Sequence, residues 1–201
     1  MVQLSATTRP RKEQLAFGGH HCEVNVATEY RFSKKTANSQ DNSMDKSKAD
    51  VEFSAPQTAR ATLAGAGTGT LATLMPDGAP FASFVLVATD GHGDIVLLIS
   101  KLARHTKNLA GDRRASLLVV ADGGEGGDPL AGARVTFNGS VDEDVAASGQ
   151  ARFLARHPEA ERYAGFGDFQ FYRLRISSAH LVAGFGRIVD LTREELLPGG
   201  L

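Results

Sequence analysis

No tryptophan occurs in this chain, there is a single cysteine, and 22 basic residues against 23 acidic ones leave a formal charge of −1. Each shortage excludes something. Cys22 alone cannot close an intramolecular disulfide or supply a thiolate cluster, which fits a reducing cytoplasm. Near neutrality removes the electrostatic footprint of a nucleic-acid or anionic-membrane binder, so neither partner is expected. There is no apolar run of the roughly 20 residues that a membrane-spanning helix needs, and the N-terminus lacks the apolar core of a signal peptide. What remains is 42% hydrophobic and 22% charged residues, the balance of a soluble globular domain. The length of 201 residues suits one domain with some excess.

The excess lies at the N-terminus. Between Ser33 and Asp50 only Met44 is apolar and larger than alanine, too little to offset the entropy of ordering the chain. Residues 1–55 read as a disordered or loosely attached extension and 56–201 as the folded domain. Met44, followed by Asp45-Lys46-Ser47-Lys48, offers itself as an alternative start, which would make residues 1–43 an added leader. His20-His21-Cys22-Glu23 carries metal-ligand atom types, but adjacent histidines rarely face one ion and no second cluster completes a site. No metal site is expected.

Within the domain, Pro56 to Ala64 reads as a short helix stopped by Gly65-Ala66-Gly67. Thr70 to Leu74 alternates, Pro76-Asp77-Gly78 supplies a turn, and Phe81 to Thr89 answers as a second strand. Ile95 to Ile99 is a continuous apolar run, the mark of a strand buried on both faces. Lys101 to Asp112 changes to helical period, with Leu102, Thr106 and Leu109 on one side. Strands follow at Arg114 to Ala121 and Arg134 to Val141. Asp142, Glu143 and Asp144 sit where a helix N-terminus favours negative charge, ahead of a helix ending near Pro158. Phe169 to Ile176 and His180 to Val189 complete six or seven strands. Runs of strands with few helices between them argue for a barrel or α+β domain and against a doubly wound sheet.

The segment from Ser100 to Leu109 sets three permanent cations, Lys101, Arg104 and Lys107, an imidazole and two hydroxyls where a buried strand meets a helix. That inventory suits a phosphate, because helix N-termini present unpaired N–H groups and a positive dipole end. At helical spacing Lys101, Arg104, His105 and Asn108 share one face, with Lys107 on its flank and the leucines pointing away. A solvated basic helix face fits the same spacing, so the residues alone leave both readings open.

From Thr58 to about Leu191 the chain resembles the pyridoxamine 5'-phosphate oxidase-like FMN-binding split barrels. The resemblance is carried by Gly69 to Leu74, Pro80-Phe81-Ala82-Ser83, Leu98-Ile99-Ser100 and His105-Thr106-Lys107-Asn108-Leu109, in that order. Gly127-Asp128-Pro129-Leu130, Arg156 to Ala160, Tyr163 to Phe169 and His180 to Arg187 are similar to the bacterial branch related to haem-utilisation proteins. The resemblance implies an α+β, mainly β split barrel of about six or seven mostly antiparallel strands with two or three flanking helices. It implies FMN in a groove of a homodimer, its phosphate or ribityl chain held by Ser100, Lys101, His105, Thr106 and Lys107. The strand carrying Ala82, Ser83 and Val85 would run beside the isoalloxazine ring, its backbone reading the polar edge. Gly184-Phe185-Gly186-Arg187 resembles a segment that closes the site, with Arg187 as its contact; a glycine-bracketed bulge fits the same residues.

The chain also departs from that family. Phe81 to Val87 carries no charge, and the tryptophan motif that helps bind substrate phosphate is missing, so the vitamin B6 reaction is not expected while flavin binding is. The chain stops soon after Asp190, without the further domain many haem-utilisation proteins carry. His157 and His180 are the candidate axial ligands, read respectively as a helix C-terminal residue and a local hydrogen-bonding group, and neither is assigned to a metal. Tyr163, Phe166 and Phe169 read as pocket lining or as core, and Asp168 as a polar loop residue. The leading expectation is an FMN-dependent oxidoreductase exchanging a hydride with an unidentified small molecule. The alternatives are a haem-binding or haem-degrading protein and a non-catalytic flavin-binding module.

Overall fold

The computed structural model describes residues 13–17, 20–24, 53–121, 130–184 and 186–197, in two units, Met1–Ala49 and Asp50–Leu201. In the first unit β1 (Glu13–Phe17) and β2 (His20–Val24) pair antiparallel, with Phe17 opposite His20. Gly18-Gly19 between them is a hairpin signal in the sequence that the reading of residues 1–55 did not use. The remainder of that reading, and the place of Met44, lie outside the described residues.

In the second unit α1 (Ala55–Gly65) starts where Ser54 accepts the Gln57 amide and Pro56 fills the first turn, and it buries Ala59, Thr62 and Leu63. β3 (Thr68–Leu74) and β4 (Pro80–Leu86) form the expected hairpin, its turn closed by Gly78 at φ 82°. The second strand does not run on to Thr89. The chain breaks at Val87, whose amide donates to Gly67, and β5 (Ala88–Thr89) then pairs with β6 (Ile95–Ser100). β4 and β5 therefore lie at opposite ends of one sheet, ordered β4-β3-β7-β8-β9-β6-β5 with β10 on β9, and this single segment curls the sheet into a half-barrel. β6 is buried on both faces as its apolar run predicts: Ile95, Leu97 and Ile99 join the barrel core, Val96 and Leu98 a second cluster with Phe153.

Helix α2 (Arg104–Gly111) begins later than the spacing predicts, because Ser100 to Ala103 is a turn closed by the Ala103 amide on the Ser100 carbonyl. Leu102 is consequently outside the helix and 71% exposed, not packed. β7 (Arg114–Val120) and β8 (Ala133–Asp142) follow, then α3 (Ala147–Arg156). The acidic run Asp142-Glu143-Asp144 does not enter the first turn of α3. Arg173 and Arg175 take Asp142 and Asp144 instead, which is a stronger claim on the carboxylates than a helix dipole. After a 3₁₀ turn at Pro158–Ala160 and α4 (Glu161–Ala164), β9 runs unbroken for 15 residues, Phe169–Ala183, through what the sequence suggested were two strands. Gly184 and Gly186, at φ 70° and 80°, turn the chain into β10 (Ile188–Thr192), and α5 (Arg193–Leu196) closes with a capping box between Thr192 and Glu195. The sheet thus has eight strands rather than six or seven. No helix among the described residues is long and apolar enough to cross a membrane.

One irregularity decides which residues face outward. Along β9 Tyr172, Leu174 and Ile176 point into the barrel, but beyond them Ala179 and Leu181 do. The switch is a β-bulge: Gly139 lies opposite Ile176 and Asn138 opposite Ser178, so Ser177 is the extra residue. A Cβ at Gly139 would fall inside the van der Waals radius of the Arg175 carbonyl oxygen, so the bulge requires glycine there. Gly139→Ala should cost about 2–4 kcal/mol, since a backbone contact in the sheet would have to move. Urea unfolding followed by circular dichroism checks this; an unchanged midpoint would contradict the close approach.

Candidate functional site

The strand–helix junction and the far end of β9 each gather groups able to bind a ligand. At the junction, Ser100 ends β6 and its hydroxyl is spent inside the fold: it donates to Asp168 at 2.9 Å and accepts the Leu102 amide at 3.1 Å. The buried Thr106 hydroxyl donates to the Ser100 carbonyl at 2.7 Å. Lys101 is held over the 165–169 turn, its amide on the Asp168 carbonyl and its Nζ 3.4 Å from the Gly167 carbonyl. Lys101, Thr106 and Lys107 line a cleft of about 530 Å³ with Arg113, Glu143 and Gln170. Arg113 carries no signal in the sequence because it follows the helix, in the short connection between α2 and β7 that the fold brings to the cleft.

The basic face expected of α2 is divided. His105 and Asn108 turn toward β4 and β3, with Nδ1 of His105 3.0 Å from the Ser83 hydroxyl and the buried Asn108 amide donating to Thr73 at 3.0 Å. Lys107 turns to the cleft on the other side. Two observations leave the junction incomplete: Nε2 of His105 is buried without a hydrogen-bond partner among the described residues, and no side chain caps the first turn of α2. Burial holds the His105 pKa below the usual imidazole value.

Of the strand residues, Val85 is buried in the core, Ser83 is half-buried under His105, and Ala82 is exposed. Among the described residues β4 pairs with β3 alone, so its outer backbone groups lie outside the ladder those residues form. Arg187 is elsewhere. Ser100 pairs with Phe169 at the start of β9, whereas Arg187 accepts the Ala183 amide at its end, roughly 45 Å of strand away. Its guanidinium lies 4.6 Å from the Phe53 ring. One copy of the chain does not bring Arg187 to the junction, and Phe185 lies outside the described residues.

At the other end of β9 the bulge turns His180 outward. It lies in a row running across the sheet from Phe84 through Thr70, Leu118 and Thr136 to His180 and Asp190. The next row carries Val120, Arg134, Val182 and Ile188. Phe84 is 75%, Ile188 64%, Val120 47% and Leu118 37% exposed, so this face offers apolar surface that the fold does not cover. Nδ1 of His180 lies 2.6 Å from the Asp190 carboxylate, which leaves Nε2 as the nitrogen for a ligand. His157 is unsuited to that role: it caps α3, is buried against Phe153, and engages the Val87 carbonyl through Nε2 at 2.9 Å. Tyr163 and Phe169 pack against each other on the second core cluster, their ring centroids 4.8 Å apart and their planes tilted by 49°, while Phe166 is exposed. No group of three or more metal-ligating side chains occurs among the described residues.

Comparison with known proteins places these features. The sequence pattern of the family described as "CREG, beta-barrel" matches residues 49–197. The chain is 35% identical over 130 residues to the non-canonical heme oxygenase HOZ, a chloroplast protein of Arabidopsis thaliana, covering 62% of this chain and 39% of that one. It is 38% identical, with a TM-score of 0.68, to a heme binding protein from Mycobacterium smegmatis, covering 73% of this chain and 61% of that one. A protein of the pyridoxinephosphate oxidase family from Clostridium acetobutylicum, 10% identical with a TM-score of 0.55, covers 70% of this chain and 96% of that one and shows the shared split-barrel fold. The chain therefore spans less than two thirds of the plant and mycobacterial proteins.

The buried imidazole at the junction gives a pH prediction. Because the folded pKa of His105 is lowered, the unfolded chain binds the proton more readily, so stability is fullest above the unfolded value and falls as pH drops below it. His105→Asn should reduce the loss of stability between about pH 7.5 and 5.5. Urea midpoints at the two pH values measure it, and an equal loss in both proteins would contradict the assignment.

Proposed function

The chain belongs to the CREG β-barrel family, and from that premise we propose that it binds haem on the outer face of the sheet, with His180 as the iron ligand. The carrying observation is the His180–Asp190 contact of 2.6 Å on an uncovered apolar face. A histidine that ligates a metal commonly gives its other ring nitrogen to a carboxylate, which fixes tautomer and ring orientation and raises basicity. A neutral nitrogen donor on a face that carries Leu118, Val120 and Ile188 within two strands of it fits a flat, largely apolar macrocycle. Haem would supply the redox-active iron; the chain supplies orientation through Asp190 and surface that excludes water. The similarity to a heme oxygenase and a heme binding protein supports this reading over the flavin one.

The part of that face far from His180, around the exposed Phe84 four strands away, suits a second copy of the chain, since a two-fold axis would bury it against itself and leave the His180 end to haem. A homodimer is therefore part of the proposal, and Phe84→Asp should give a monomer in gel filtration. The junction supports a second reading. An uncapped helix N-terminus, the unpartnered Nε2 of His105 and the cations Lys101, Lys107 and Arg113 fit the phosphate end of FMN, whose isoalloxazine would bring hydride chemistry.

Absorption spectra with added haemin and FMN test both. His180→Ala should remove or shift the Soret band, Asp190→Asn should weaken haem binding by about tenfold, and His157→Ala should leave the band in place if folded. A Soret band indifferent to His180 would overturn the ligand assignment. Lys101→Ala with Lys107→Ala should weaken FMN binding at least about tenfold; unchanged FMN binding would remove the second reading.

A further inference from the structure

We infer that Asp94 and Arg193 are positioning residues for His180, acting through the bulge in β9; the inference rests on the reading of His180 as the haem ligand. β9 changes its partner on one edge. It pairs with β6 up to Leu174 and with β10 from Ser178, so the edge groups of the residues between lie opposite no strand. Ile176 is the residue whose amide and carbonyl face that gap. The buried Asp94 accepts its N–H at 3.0 Å, and Nη1 of Arg193 donates to its carbonyl. The same guanidinium grips Asp94 with two bonds of 2.7 and 3.2 Å. The fork thus replaces a missing strand at one residue.

The position of that residue gives the fork its consequence. Ile176 is the last inward residue before the extra Ser177, and the bulge reverses the alternation of everything after it. With the bulge, Ser178, His180 and Val182 face outward and Ala179 and Leu181 fill the core. Without it, His180 would point into the barrel and Asp190 would lose its partner. Asp94 holds its own place through Asp90, whose carboxylate accepts the Asp94 amide at 3.1 Å. Arg193 is fixed because Thr192 and Glu195 cap α5 at its side. Arg suits this place because its planar fork presents two nitrogens to the carboxylate while Nη1 also reaches the Ile176 carbonyl, where a single ammonium would have to crowd all three bonds onto one nitrogen.

The test reads the alternation directly, without haem. In the full chain with Cys22→Ser, single probes Ser178→Cys and Ala179→Cys are labelled with a maleimide. With the fork intact the 178 probe should react at least about tenfold faster than the 179 probe, as outward and inward positions require. In Arg193→Met the ratio should collapse toward one and haem affinity should fall by about tenfold or more, while circular dichroism shows a folded protein. Arg193→Lys, the milder change, carries the test if the Met variant does not fold, and should give a smaller fall in both quantities. A folded variant that keeps the labelling ratio overturns the positioning role. A collapsed ratio with unchanged haem affinity overturns the assignment of His180 to haem and leaves the fork's control of the strand standing.

Discussion

Everything on the outer face depends on how β9 survives a change of neighbour at Ile176. A buried amide and carbonyl facing a gap in the sheet would each carry a desolvation cost of a few kcal/mol, and the Asp94–Arg193 fork satisfies both with side chains. An ion pair with one buried partner, Asp94, and one half-exposed partner, Arg193, is weak support for stability by itself, because desolvation of the carboxylate offsets much of its attraction. Here the pair has a second task, since its partners include two backbone groups that no strand reaches. It makes a 15-residue strand with a bulge possible where two shorter strands would otherwise serve. Gly139 is the complementary requirement on the other edge, leaving room for the Arg175 carbonyl where a side chain would stand.

That constraint explains what was legible in the sequence and what was not. The β3–β4 hairpin is readable because a proline–aspartate–glycine turn and clean alternation agree, and β6 because five successive apolar residues bounded by turn signals are typical of a strand covered on both sides. The junction residues are nameable from the sequence but their division is not: spacing alone starts the helix three residues early, which puts Leu102 in the packing and Asn108 on the cation face. His180 is nameable as a candidate ligand at the head of the His180–Arg187 stretch, but Asp190, ten residues on, carries no motif that pairs it with the imidazole. Their meeting depends on the two-glycine turn and on the register of β10 against β9, which local spacing does not determine. The bulge was invisible for a related reason: Ser177-Ser178-Ala179 has no strong preference for either face, so its parity is set by Gly139, Asp94 and Arg193 from elsewhere in the chain.

The two ends of β9 differ in what they select. The junction cleft contains Asp142 and Glu143 as well as cations, which at first sight opposes a phosphate. Those acids are occupied: Asp142 is paired with Arg173 and Arg175, and Glu143 accepts the Gln170 amide at 2.7 Å. Lys101, Lys107 and Arg113 are left facing the cleft against the one carboxylate there without an ion pair among the described residues, Glu143, so the balance of charge in the cleft favours an anion. The His180 end inverts this pattern. Its acid, Asp190, is engaged with the imidazole, and the rows around it are apolar or hydroxylic apart from Arg134, whose Nη1 donates to the Leu130 carbonyl. A ligand there must gain from apolar contact and a single nitrogen donor rather than from charge. Within one copy of the chain the basic cleft and the His180 face are therefore separate surfaces at opposite ends of β9, and it is the parity of the bulge that decides whether His180 reaches the surface at all.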